Sequence, residues 1–457
     1  MSGTRTRRAP DPARQAAFDV LRAVSDEDAY ANLVLPALLR ERRLDARDAA
    51  LATELAYGAL RGQGTYDAVL GACSTRPVDE LDAPVLDALR LGAHQLLGMR
   101  VPSHAAVSTT VDLVRSRVND GAARLANAVL RKVGGDDLDG WTDRLAPSAE
   151  TDMTGRLAFR HAHPEWIVRA FVDASGGDVA AAEACLVADN EPAEVNVVAR
   201  PGRANVEELT TAGARPARWS PYGAVVDAGD PARIPAVRDG RAAVQDEGSQ
   251  LVTLALADVP VDAPDERWLD MCAGPGGKAA LLAGLASGRG ARLLAVEKHE
   301  HRARLVEQTL RGAAGEYEVL VADATAPPWP EEDFDRVLLD APCTGLGALR
   351  RRPEARWRRE PSDVGELRKL QVALLRSAVW SVRPGGVVAY VTCSPHLAET
   401  STVVDDVLGE RGDVERVDAR AYLPGVPELG DGPDVQLWPH VHGTDAMYLA
   451  LLRRTEG

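Results

Sequence analysis

The sequence predicts a multidomain chain: an all-α front end, a small α/β segment, and a doubly wound α/β domain behind them. Three observations predict it. Apolar residues recur at helical spacing from Asp11 to about Val133. The stretch RWLDMCAGPGGK, Arg267–Lys278, reads as a strand and a glycine turn, and AALLAGLA after it restores helical spacing. Beyond it, apolar strand-like runs alternate with helical ones, the pattern of a mostly parallel, Rossmann-like sheet. The boundaries read as 1–140, 141–240 and 241–457, and 457 residues leave room for two to four domains.

Bulk properties exclude several classes. Apolar content of 45% and charged content of 26% are ordinary for soluble globular protein. The beginning, MSGTRTRRAPDPARQ, is basic without an apolar stretch after it, so no secretory signal is expected; no run approaches a membrane span. Five cysteines (Cys73, Cys185, Cys272, Cys343 and Cys393) are odd in number and lack CxxC spacing. That disfavours a disulfide framework or a zinc site and points to a reducing cytoplasm. No metal is expected. A net charge of −15 works against nucleic-acid binding by bulk attraction, so any such contact needs a local basic patch.

In chain order, Phe18, Leu21 and Val24 share a helical face, as do Leu51, Leu55 and Ala59. Leu86, Leu89, Ala93 and Leu96 form another, and Val107, Val111 and Val114 a fourth. Asp45 precedes one such run as an N-cap. Gly134–Ser148 is rich in Gly, Asp and Pro and reads as a linker. RHAHPEWIVRAF then starts a helix at Pro164, with Trp166, Val168 and Phe171 on or near one face. AEVNVVARP reads as a strand and NVEELTTAG as a capped helix. The last domain supplies WLDMC, ARLLAVEK, YEVLVAD, FDRVLLD and GGVVAYVTC as strands, and DAMYLALLRR as a final edge or antiparallel strand.

The second, third and fourth of those strands deliver Glu297, Asp323 and Asp340 to the ligand-facing end of the sheet. Glu297 stands where a dinucleotide fold keeps its ribose-binding carboxylate, and Asp323 suits an adenine amino group or a helix N-cap. These acids fit a nucleoside cofactor without distinguishing NAD from S-adenosylmethionine. Two cysteines help there: Cys343 in DAPCTG follows one strand, and Cys393 in TCS ends the next. Methylation at pyrimidine carbon-5 has a use for such a pair, because that carbon is too weakly nucleophilic to attack a methyl sulfonium. A thiolate adding to C6 makes C5 enamine-like; a base then removes the C5 proton and elimination frees the enzyme. The spacing alone does not say which cysteine attacks.

CAGPGGK, DAPCTGLGALRRRPEARWRRE and VVAYVTCSPHLAET closely resemble the Nol/Nop/Sun family of RNA cytosine-5 methyltransferases, and QDEGSQLV and VQLWPHVHGTDAMYLALLRR extend the match to the chain's end. RQAAFDVLRAV, ATELAYGALRG, LDALRLGAHQLLGM, HAAVSTTVDLVR and ARLANAVLRKV resemble the NusB-type RNA-binding helical domain, with Gly58 and Asn127 where that pattern has them. The resemblance implies S-adenosylmethionine as cofactor, lined by Cys272, Ala273, Gly274, Pro275, Gly276, Gly277, Lys278, Glu297, Asp323 and Asp340. It implies Cys393 as nucleophile and Cys343 as the residue that assists product release. Asp340 would also face the cytosine ring, where a proton on N3 eases thiol addition. The implied substrate is 16S ribosomal RNA, at the cytosine conventionally numbered 967. Free rRNA or an early assembly intermediate is expected, because the target base must leave any stack. Two departures stand out: CAGPGGK where CAAPGGK is common, and GTDAMY, with Ala446 and Met447, where GTDGFF is frequent.

Arg350, Arg351, Arg352 and Arg356, interleaved with Trp357, follow the DAPC motif and are expected to contact RNA phosphates and a stacked base. No heptad run appears, and a monomer is expected. Two other readings are a non-catalytic NusB-like RNA-binding protein with a degenerate methyltransferase domain, and an NAD-dependent oxidoreductase. The retained glycine corner, three acids and both cysteines argue against the first.

Overall fold

A computed structural model describes residues 11–227 and 229–456. Residues 1–10, where the secretory-signal expectation falls, lie outside them. The chain packs into two compact units. One takes the chain up to Arg169 with Ala182–Asn190 and Arg351–Arg358; the other takes Ala170–Ala181, Glu191–Arg350 and everything from Arg359.

The first unit is helical. Its seven leading α-helices are Pro12–Glu27, Ala31–Glu41, Ala46–Arg61, Gln63–Cys73, Ala83–Leu97, Ser103–Arg117 and Asp120–Val133. Phe18, Leu21, Leu55, Leu89 and Leu130 from their apolar faces are buried in one core. Caps follow from sequence: Asp11 accepts the Arg14 N–H at 3.1 Å, and Asp45 accepts that of Asp48 at 2.8 Å. Gly58 is a close-approach position, since a methyl group there would lie 2.0 Å from Nε2 of His94. His94 in turn sits 3.0 Å from the Tyr66 hydroxyl and 3.2 Å from Glu54. The expected linker at 134–148 is instead largely a helix, Leu138–Leu145. Its Asp137 is a cap, accepting the Gly140 N–H at 2.9 Å, and its buried Trp141 donates Nε1–H to Val133 O at 3.0 Å. Asp and Gly before a short helix look like loop residues until the cap is seen.

On the helix Glu165–Ala174, Val168 and Phe171 are buried as expected, but Ile167 joins them while Trp166 is only half-buried. The second unit carries two sheets. Strands β1 (Val195–Ala199), β2 (Arg215–Pro216), β3 (Gly223–Val226) and β4 (Ala242–Val244) form an antiparallel sheet in the order β2-β3-β1-β4. The larger, eight-stranded sheet comprises β5 (Arg267–Asp270), β6 (Arg292–Glu297), β7 (Tyr317–Val321), β8 (Phe334–Asp340), β9 (Val382–Thr392), β10 (Val414–Val417), β11 (Val435–Gln436) and β12 (Tyr448–Arg454).

Its order is β10-β12-β9-β8-β5-β6-β7, with β11 on β12; β5 to β9 run parallel, and β12 is antiparallel to both β9 and β10. The final strand is therefore antiparallel but interior, not an edge. Consecutive residues feed opposite cores: Trp268 packs with helices Glu247–Asp258 and Gly277–Ser287, Leu269 with helices Pro361–Ser381 and Ser401–Gly409. Burial on both faces is why these strands read as continuous apolar runs. The chain leaves β5 for β6 on one side and returns with β8 on the other, which opens a crevice at the strand ends. Among the described residues no helix is long and apolar enough to cross a membrane.

Candidate active site

The crevice is walled by the glycine turn after β5. Gly276 has φ +109°, a conformation that favours glycine, and starts the helix Gly277–Ser287. A methyl group at position 274 would lie 2.2 Å from Oε2 of Glu297, so only glycine lets the turn pass this carboxylate. Glu297 closes β6, is buried, accepts the His299 N–H at 3.0 Å and faces Arg302 at 3.5 Å. Arg302 also donates to Gly274 O at 2.9 Å and so holds the turn. Asp323, two residues past β7, accepts Thr325 N–H at 3.0 Å and pairs with Lys298 at 2.8 Å. Those bonds, Lys298 first, hold its carboxyl down to about 2. No helix follows it, so it closes a turn and is not a helix cap.

Asp340 ends β8 and accepts from Lys278 Nζ at 2.8 Å. Burial works against the Lys278 charge, but Asp340 outweighs it and keeps the ammonium above its ordinary range. β8 and β9 are in register at Asp340 and Val391, so the loops after them start side by side. That brings Cys343 Sγ and Cys393 Sγ to 3.5 Å, both half-buried. The two thiols are not equivalent. The hydrogen bond between them, with burial, pushes Cys343 well above the usual thiol range. The same bond pulls Cys393 down, with Lys278 assisting and burial and Asp340 opposing. Both directions favour the proton on Cys343 and the thiolate on Cys393.

Further polar groups in the crevice carried no role in the sequence reading. Asp270, at the end of β5, is buried and pushed up to about 7, by burial first and Asp340 second; its Oδ2 has no hydrogen-bond partner among the described residues. Gln245 is 8% exposed, its amide O and N have no partner among the described residues, and a methyl group at Gly277 would lie 3.9 Å from its Nε2. Spare acceptors and an unanswered amide beside a glycine cradle suit a polar nucleoside ligand better than an apolar one. Glu399 is buried and bonds to both cysteine loops. Gln245 and Glu399 lie in the quoted QDEGSQLV and HLAET motifs, the one signal that marked them. The departures at 446 and 447 are interior: Ala446 N–H donates to Gly347 O at 2.9 Å, Gly347 N–H donates to Cys393 O at 2.8 Å, and Met447 is buried. Cys272 is half-buried and held well above the usual thiol range by burial.

The basic run is corrected by its burial. Arg356 has 0% exposure. Its guanidinium donates to Arg61 O at 3.2 Å, Ala162 O at 3.3 Å, Asp189 O at 2.9 Å and Asn190 Oδ1 at 2.8 Å. Arg61 and Asn190 end helices, where carbonyls lack intrahelical partners, so Arg356 caps helix ends and is not available to phosphate. Burial brings it down to about 10, which leaves it charged. The Trp357 ring packs on Gly64, where a methyl group would lie 2.1 Å from it, so it is no free stacking platform. Arg350 is buried and donates to Gly443 O at 2.7 Å. Arg351 is half-buried; Arg352 is exposed, over the Tyr30 ring at 5.1 Å. Among the described residues no group of three or more His, Cys, Asp or Glu could hold a metal.

Known proteins resemble this chain over most of its length. A family model described as 16S rRNA methyltransferase RsmB/F matches residues 258–453, and the NusB family model matches 11–134. Rv1407 of Mycobacterium tuberculosis, named provisionally as a methyltransferase, is 54% identical over 450 residues, 98% of each chain. Ribosomal RNA small subunit methyltransferase B of Pseudomonas syringae pv. tomato is 33% identical over 451 residues, 96% of each. The crystal structure of PH0851 superposes with a TM-score of 0.81 over 98% of this chain and 99% of that one, at 23% identity, a likeness of fold.

Proposed function

Starting from a chain that belongs to the RsmB/F family of 16S rRNA methyltransferases, with a NusB-family region in front, we propose that it methylates carbon-5 of a cytosine in 16S rRNA through a covalent adduct at Cys393. The observation that carries this reading is the pair of thiols 3.5 Å apart at neighbouring strand ends, and the opposite directions in which their surroundings push the two thiols support it. S-adenosylmethionine supplies the methyl group. Gly274–Lys278, Glu297 and Asp323 are the residues to bind it, joined by Cys272, Ala273, Asp340 and the unanswered amide of Gln245.

The Cys393 thiolate adds to C6, which makes C5 nucleophilic towards the methyl group. As Cys393 adds, N3 takes a proton from solvent and donates it in a hydrogen bond to Asp340, which Lys278 holds in place, so the negative charge brought by the thiolate is neutralised at N3. After transfer, a base removes the C5 proton, and Cys393 leaves as thiolate while the ring double bond reforms. Cys343 assists that release from beside it. The proposed target is the cytosine conventionally numbered 967, in free rRNA or an early intermediate where the base can leave its stack, and the enzyme is proposed to be monomeric and cytoplasmic. RNA contact by the basic run narrows to Arg352, which alone of the five expected residues is exposed. Boundaries near 140 and 240 remain part of the proposal. Unmodified 16S rRNA incubated with labelled S-adenosylmethionine, then digested to nucleosides for mass analysis, should give 5-methylcytosine at one position. Label in another nucleoside, or none, contradicts the reading.

A further inference from the structure

Glu399 has no part in the chemistry above, yet it is the carboxylate most thoroughly bound to both cysteine loops. It is 0% exposed. One oxygen accepts the Thr344 N–H at 2.8 Å and the Gln371 amide at 3.1 Å. The other accepts the hydroxyls of Ser394, at 2.7 Å, and Thr344. Thr344 directly follows Cys343 and Ser394 directly follows Cys393. Gln371 also donates to Pro342 O at 2.8 Å, and Tyr390 donates its hydroxyl to Glu399 O at 2.7 Å. Four neutral donors aim at its two oxygens, the arrangement of an ionised carboxylate, and no cation is among its hydrogen-bond partners in the described residues. A clamp alone does not need a net charge; a neutral acceptor would hold two hydroxyls.

We propose that Glu399 is a positioning residue that holds the two cysteine loops in register and, by its charge, keeps the shared proton on Cys343, leaving Cys393 as nucleophile. The groups facing the pair support this. Cys343 faces Cys393, Glu399 and Asp340, with Tyr390 nearby; Cys393 faces Cys343, Asp340, Lys278 and Asp445. Asp340 acts on both thiols and so cannot discriminate between them. Lys278 on the Cys393 side and Glu399 on the Cys343 side both favour the proton on Cys343, against Asp445, which on the Cys393 side acts in the opposite sense. Neither the cysteine motifs nor their spacing contains this polarity.

The test is alkylation of the whole protein by iodoacetamide across pH, without RNA, with the labelled cysteine identified by peptide mass. Wild type should label at Cys393 first, at a midpoint below that of an ordinary thiol. Glu399→Gln should raise the share of label on Cys343 several-fold and move the Cys393 midpoint upward; one unit lowers the thiolate fraction about tenfold. Glu399→Asp, which keeps the charge, should keep the preference for Cys393 even if turnover falls. Wild-type labelling and midpoint in folded Glu399→Gln would overturn the proposal. Should that variant fail to fold, Thr344→Val removes one donor from the clamp and should weaken the preference, with Thr344→Ser restoring it; unchanged labelling in Thr344→Val would also overturn it. The proposal rests on the two-cysteine reading, and the assay separates them. If wild type makes no 5-methylcytosine, that reading fails; if it does and Glu399→Gln labels like wild type, only the role of Glu399 fails.

Discussion

Arg356 in the helical unit and the strand-end corner around Asp340 are both buried concentrations of charge, and they differ in how much hydrogen bonding the protein itself consumes. The two Nη groups of Arg356 are spent on three carbonyls and one amide oxygen at helix ends, and only Nε is left unanswered among the described residues. The corner leaves more bonding capacity unspent: among the described residues Asp270 Oδ2 and both amide atoms of Gln245 have no partner, and two thiol sulfurs lie 3.5 Å apart. Burying a polar group without a partner costs roughly 1–3 kcal/mol. A structural site removes most of that cost; a site proposed to bind and react retains more of it for its ligand. The lesson is that buried charge alone does not mark function, whereas buried charge with spare bonding capacity at a topological crevice does.

Five measurements would break or sharpen this contrast, the largest effect first. Cys393→Ala should lower methyl transfer by about 10³-fold or more with an unchanged melting temperature. Retained activity would remove the corner from the functional side. Cys343→Ala should hold turnover to about one event per enzyme while a covalent RNA adduct accumulates; multiple turnover without adduct would contradict its part in release. Arg356→Met should destabilise the fold by about 3 kcal/mol, because it strands buried carbonyls, while leaving cofactor affinity unchanged. Loss of RNA affinity without loss of stability would put Arg356 on the other side of the comparison.

Two smaller effects follow. Glu297→Gln should weaken cofactor binding about tenfold in calorimetry, the worth of one charge-assisted hydrogen bond. The last concerns pH. Activity should rise with pH as Cys393 loses its proton, at a midpoint below that of a free thiol, because its folded value is lowered chiefly by the Cys343 hydrogen bond. Lys278→Met removes the neighbouring cation that also favours the thiolate, so the midpoint should move to higher pH. A move to lower pH, or none, would contradict the charge assignment.

Much of the fold was legible because it rests on local periodicity. Strands buried on both faces read as continuous apolar runs, and helices one-face-apolar read at their own spacing. The helix at Leu138–Leu145 was not legible, since Asp137 and the nearby glycines are as common in loops as in caps. The corner was legible in Gly274, Gly276, Glu297 and the two cysteines, all close to a motif. Arg356 was not: a run of arginines gives composition, and whether a guanidinium meets solvent or the far ends of helices depends on contacts 166 to 295 residues away. Glu399 sits in a motif that could be quoted, but its bonds to Thr344 and Gln371 span 55 and 28 residues. Which thiol attacks lay beyond spacing for the same reason, because Lys278 and Glu399 reach the pair from other elements.

The most direct test of the central claim is to trap the enzyme–RNA adduct and sequence the attached peptide. Unmodified 16S rRNA is incubated with S-adenosylmethionine and Cys343→Ala, the RNA is digested, and the cross-linked peptide is identified by mass. The account predicts a modified cytosine on Cys393, and no adduct from Cys393→Ala. An adduct formed by Cys393→Ala and carried on Cys343 would reverse the two roles and contradict the account.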